Sequence, residues 1–119
     1  QRRSRVTNPK RGEMQLSLGD QTWTARVTMD GIARIEAACG TGIVKILGRL
    51  TDGDLTTTEM CNILHPIIKG GGNDISMKDI QNAVWDAGLA ETMKAVGEIV
   101  AISLGGGNDE GNVKKVAKQ

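Results

Sequence analysis

Apolar positions along this chain follow two periods, first two and then 3.6. Between residues 13 and 27, Met14, Leu16 and Leu18 alternate with Glu13, Gln15 and Ser17, and Trp23, Ala25 and Val27 alternate with Thr22, Thr24 and Arg26. Period two puts alternate side chains on one face of a strand, so the pattern predicts a β-hairpin over 13–28. Gly19-Asp20 suits a two-residue turn, because glycine accepts positive φ at its first central position. That turn sets Leu16 opposite Trp23 and Met14 opposite Ala25, and every apolar residue then shares one face. A lone hairpin is marginal in water, so it must lie on helices or pair with another chain. Trp23 is expected as a core contact.

From residue 29 the period is helical. Residues 29–39 predict a first helix capped by Thr28, with Asp30 at its positive end, Ile32, Ile35 and Cys39 as a narrow stripe, and Gly40 as its stop. Residues 42–50 predict a short second helix with Ile43, Ile46, Leu47 and Leu50 inward, followed by a TDGD turn. The clearest helix starts after Thr56. Met60, Ile63, Leu64, Ile67 and Ile68 make one stripe, and Thr56 with Glu59 has capping-box spacing. Pro66 removes an amide donor inside this helix and is expected to kink it. Gly70, Gly71 and Gly72 end it through a left-handed cap. Ser76 and Asp79 repeat the capping signal before a helix with Met77, Ile80 and Val84 inward and Trp85 flanking that face. Gly88 breaks the chain. Leu89, Met93, Val96 and Val100, widened by Ile99 and Leu104, form the last stripe.

The fold class expected is therefore α+β, an N-terminal hairpin packed on a small bundle of about five short helices. Residues 1–12 form a basic arm, 13–105 a single globular domain, and 106–119 a mobile polar tail that turns basic at Lys114, Lys115 and Lys118. The pentapeptide GGGND occurs at 70–74 and again at 105–109, each time after an apolar helix end, and reads as one stop signal used twice.

Composition narrows the function more than it suggests one. There is no Phe or Tyr, so the core must be aliphatic with two Trp at most. The formal charge of +1 predicts no strong field, although Arg2, Arg3, Arg5, Lys10 and Arg11 all precede the first acid. Such an arm is expected to be solvated, or to touch nucleic acid or an acidic partner surface. Without Phe and Tyr the usual stacking platforms for single strands are missing. Glu98 interrupts the longest apolar run, Ala95 to Leu104, so no membrane span is expected. The chain begins with Gln and shows no signal-peptide pattern, so a processed or trimmed start is expected.

Candidate chemistry meets a simpler explanation at each position. Cys61 and His65 stand four apart on a helix and could offer two metal ligands, with Cys39 a third. Zinc needs four, or three and water, and there is no second histidine. Both residues border the buried stripe, which accounts for them. Cys39 and Cys61 read as buried free thiols, with a disulfide open. A Cys/His pair lacks an orienting group. GGGND lacks the Lys-Ser/Thr of a phosphate loop. Glu36, Asp52, Asp54, Glu59, Asp79, Asp86 and Glu91 are scattered and read as caps and solvated faces. No catalytic, cofactor or metal residue is expected, and the chain reads as a binding or assembly module.

Asn8-Pro9-Lys10-Arg11-Gly12-Glu13 leads into the hairpin, Ile32 to Gly40 carries Ile35-Glu36-Ala37 and ends in glycine, and a later helix runs into Gly70-Gly71-Gly72. This layout, over residues 8–104, resembles the small tail proteins of gene transfer agents and of related tailed phages and prophages. Their pattern is N-x-x-R-G-E, an I-E-A-x-x-G helix, and a helix entering a glycine triplet. The resemblance implies a part in tail morphogenesis, without catalytic residues, either as tail tube protein or as a tail assembly chaperone that coats the tape measure protein. Tube walls are built from β-barrels or sandwiches closed between subunits, whereas this chain offers one hairpin. The chaperone is therefore the expectation, with apolar helix-face residues Met60, Ile67 and Met93 as contacts unless they are plain core. Gly12, Glu13, Ile35, Glu36, Gly40 and the triplet are expected to be structural. Pro66 and the tail after Gly105 depart from the pattern. A built-in tail subunit pairing through the hairpin edge is the alternative, and a DNA-binding module using the arm is a third. Expected partners are the tape measure or other tail proteins, with homo-oligomers allowed and no membrane. The expected location is the bacterial cytoplasm, or the virion tail for a built-in subunit.

Overall fold

Strict alternation produces the hairpin. In the computed structural model, which describes residues 12–105, β1 (Glu13–Leu18) and β2 (Gln21–Arg26) pair antiparallel with Leu16 opposite Trp23 and Met14 opposite Ala25. Gly19 takes φ +62° at the turn. One face buries Leu16, Leu18 and Ala25. The other is polar and knitted across the strands, with Gln15 Nε2 donating to Thr24 Oγ1 and the Ser17 and Thr22 hydroxyls sharing a bond. The arm up to Arg11 and the tail over 106–119 lie outside the described residues.

Five helices follow: α1 (Met29–Cys39), α2 (Ile43–Thr51), α3 (Thr57–Gly70), α4 (Met77–Ala87) and α5 (Leu89–Ser103). This is the expected α+β arrangement, with the hairpin lying on the bundle. Helix α3 is its centre and packs on α1, β2, α4 and α5. Met60, Ile63, Leu64, Ile67 and Ile68 are all buried, as their spacing predicts. Removing each such side chain from water contributes roughly 1.5–3 kcal/mol. The capping box forms in full: Thr56 Oγ1 accepts from the Glu59 N–H, and the Glu59 carboxylate accepts from the Thr56 N–H. The helix runs through Pro66 without interruption.

The glycine triplet has a different cause from the one expected. Gly70 is still helical, and the capping residue Gly71 has φ −83°, so neither supplies a left-handed cap. They are glycines because the end of α3 lies against the backbone of β2. A Cβ on Gly71 would overlap the Thr24 carbonyl, and one on Gly70 would stand 2.9 Å from the Arg26 carbonyl oxygen. Only Gly72, at φ +101°, supplies the left-handed turn. Asn73 then locks the junction, donating from Nδ2 to the Thr24 and Ile68 carbonyls at 2.8 and 2.9 Å.

Helix α1 is capped by Thr28 and buries Ile35, with Ile32 and Cys39 half-buried beside it. Gly40 ends it in the left-handed region. Helix α2 buries Ile46 and leans Ile43, Leu47 and Leu50 on the core. In α4, Ser76 and Asp79 form the second capping box, and Ile80, Ala83 and Val84 go inward. Trp85 does not flank that face; it points to solvent, 85% exposed. Helix α5 also differs from expectation. Its buried positions are Thr92, Ala95, Val96, Ile99 and Val100, while Leu89, Met93 and Leu104 are exposed. The smaller residues Thr92 and Ala95 let the helix come close to its neighbours, which turns Leu89 and Met93 outward. Thr92 stays satisfied by donating its hydroxyl to the Gly88 carbonyl at 2.9 Å.

Candidate functional site

His65 and the Arg49–Glu59 pair are engaged in holding the fold. His65 Nε2 donates to the Ile75 carbonyl at 3.0 Å, which ties α3 to the loop before α4. Cys39 and Cys61 are free thiols, both raised in pKa, chiefly by burial, and so poorly nucleophilic. Among the described residues no three His, Cys, Asp or Glu side chains converge on one point. No described helix is long and apolar enough to cross a membrane.

The strongest electrostatic feature is structural too. Arg49, at the end of α2, meets Glu59 at the start of α3 through two parallel bonds of 2.8 and 2.7 Å, and also donates to the Asp54 carbonyl. A fork-on-carboxylate pair of this kind is the stronger type of ion pair. The Arg49 guanidinium, followed by the Thr56 N–H, holds the Glu59 carboxyl at about 2, against an ordinary 4.5. One carboxylate thus caps α3 and clasps α2. Glu36 plays a related part. Its Oε2 accepts from the Ile43 N–H at 2.9 Å, capping α2, whose own N-cap residue is glycine. A Cβ on Gly12 would strike the Val27 carbonyl, and Glu13 stands opposite Arg26 in the ladder. Gly12, Ile35, Glu36, Gly40 and the triplet thus each make a contact or take a backbone conformation that the fold uses.

The three expected contact residues separate. Met60 (3% exposed) and Ile67 (0%) are core, so neither can touch a partner while the domain is folded. Their stripe is the one that α1, β2, α4 and α5 cover. Met93, 40% exposed, stays at the surface. It shares its side of α5 with Leu89, one turn away and 49% exposed. Trp85 stands on α4 just before the Gly88 junction. Leu89 was expected inward from its helical spacing to Met93 and Val96, and Trp85 at the flank of its stripe; both are surface residues. The missed signal was the stripe of smaller residues at 92, 95, 96, 99 and 100, whose helical spacing is as good as that of 89, 93, 96 and 100.

Trp85, Leu89 and Met93 are thus large apolar side chains in water near the end of α4 and in the first turns of α5. Trp supplies much area at little entropic cost, and Met adapts to varied partners. Met29 and Val44 are exposed elsewhere, on α1 and α2. The surface also carries clefts. One, of about 350 Å³, lies between the start of α1 and the end of α5 and includes Met29, Ile32 and Ile102.

No curated protein and no solved structure matches the chain. A family model described as "Phage tail tube protein, GTA-gp10" matches residues 11–106, which takes in the hairpin and all five helices. The chain belongs to this family of gene transfer agent and phage tail proteins.

Proposed function

We propose that the protein acts in tail morphogenesis as an assembly chaperone, binding the tape measure protein before a tube forms around it. The observation that carries this reading is the exposure of Trp85, Leu89 and Met93 around the α4–α5 junction. An amphipathic helix, such as a long helical tape measure would present, docks by laying its apolar stripe on such a surface. The helical body supports the same reading, because the one two-stranded sheet among the described residues contributes little to a β-walled tube. Co-expression with the tape measure protein of the same gene neighbourhood is the direct test. The expected result is a complex with many copies per tape measure chain, and absence of the protein from purified particles. Stable presence in particles, with no such complex, would sink the proposal.

A second reading is a subunit built into the tail. The family's description as a tail tube protein favours it. In that case the protein would be recovered from particles in a fixed ratio to the other tail components.

A further inference from the structure

The hairpin has two outer edges, and the rest of the fold treats them differently. The Val27 N–H bonds the Gly12 carbonyl at 2.9 Å. Antiparallel ladders alternate, so residues 14, 16 and 18 also bond across to 25, 23 and 21. The backbone groups of Thr22, Thr24 and Arg26 therefore point out from β2, and those of Glu13, Gln15 and Ser17 point out from β1.

The β2 edge is closed. Asn73 occupies the Thr24 carbonyl, and Gly70 and Gly71 lie against the Arg26 and Thr24 carbonyls. The β1 edge carries no strand, although α5 packs beside it. Among the described residues the sheet has two strands, and no hydrogen bond outside the hairpin reaches the backbone of Glu13, Gln15 or Ser17. A cleft of about 570 Å³ runs beside it, between Gln15 and Ser17 on one side and Ala90, Lys94 and Glu98 on the other. Proteins blunt such edges with Pro, Lys or a bulge. β1 has no Pro or Lys, and its pairing is one-to-one throughout.

We infer that β1 is a self-pairing edge: two copies join their β1 strands antiparallel about a two-fold axis at Gln15, making a four-stranded sheet. In that register Gln15 meets Gln15 of the second copy, and Glu13 meets its Ser17. Every outward N–H and C=O of the three residues finds a partner. No like charges stand opposite each other, which is what cross-strand pairs require. A two-fold contact also needs a surface complementary to itself. Lys94 and Glu98 beside the edge supply this, because they offer both signs to the same pair across the axis, while Glu91 accepts from the Gly19 N–H of its own turn. This self-complementarity selects a second copy over an unrelated extended segment. The inference does not rest on the chaperone reading, and its test contains no tape measure protein.

The test is sedimentation equilibrium on the full chain, with circular dichroism to confirm folding of each variant. The wild type is expected at twice the 12.6 kDa chain mass. Gln15→Lys places two cations at the axis and is expected to weaken association several-fold, as is Gln15→Glu. An equimolar mixture of the two is expected to recover the dimer, since opposite charges then meet. Thr22→Lys, on the same face but on the closed strand, is expected to leave the dimer intact. A wild type that stays monomeric at its highest soluble concentration overturns the inference. So does a dimer indifferent to Gln15→Lys, a mixture that fails to recover, or equal disruption by Thr22→Lys.

Discussion

Helices α3 and α5 both announce themselves by apolar spacing, yet they meet opposite fates. Helix α3 buries every member of its stripe, from Met60 to Ile68. Helix α5 buries Thr92 and Ala95 and leaves Leu89 and Met93 in water. The difference lies in the number of stripes on offer. Helix α3 has one, and α1, β2, α4 and α5 surround it. Helix α5 has two overlapping stripes, one of larger side chains and one of smaller. The smaller wins because close packing depends on how near two backbones can come, not on the apolarity of single residues. What α5 leaves outside is the surface on which the proposed function rests.

Substitution should expose that contrast at full size. Leu64→Ala in α3 is expected to cost about 2–5 kcal/mol, the range for emptying a packed core position. Leu89→Ala in α5 should stay within about 0.5 kcal/mol, as surface changes do. Urea unfolding of both variants checks this, and equal losses would break the comparison. Next in size is Gly71→Ala. Its new methyl has no room against the Thr24 carbonyl, so the end of α3 must move off β2. A loss of about 1–3 kcal/mol is expected, the range for overpacking. A neutral result would show that α3 does not rest on the strand.

The smallest expected effect concerns the clasp between α2 and α3. The folded carboxyl of Glu59 sits below its ordinary value, so its stabilising contribution is complete above about pH 4.5. It is lost as pH falls toward about 2, where the folded group takes up its proton. The melting temperature should therefore fall across that window by more in the wild type than in Glu59→Gln. Parallel curves for the two proteins would remove Glu59 from the account.

Much of the fold was legible in the chain. The hairpin register followed from alternation and the Gly19-Asp20 turn, and both capping boxes followed from three-residue spacing at Thr56 and Ser76. Such signals are local, and local chemistry decides them. The reason for Gly70 and Gly71 was not legible, because the strand they touch is distant in sequence. The Arg49–Glu59 clasp and the capping of α2 by Glu36 were hidden for a similar cause. Each joins residues from two helices, and no single period relates them. Exposure was harder to read: Met60 and Ile67 are buried and Met93 is exposed, although spacing put all three on apolar stripes, and Trp85, expected to flank its stripe, stands in solvent.

The most direct measurement is the mass of the complex formed with the co-expressed tape measure protein, taken for the wild type and for Trp85→Ala side by side. The substitution lies in solvent and should leave the melting temperature unchanged. The account predicts a multi-copy complex for the wild type and a loss of about 2 kcal/mol or more of binding for the variant, the scale of an interface anchor. A variant complex of the same mass and affinity as the wild type would contradict the claim that the α4–α5 surface holds the partner.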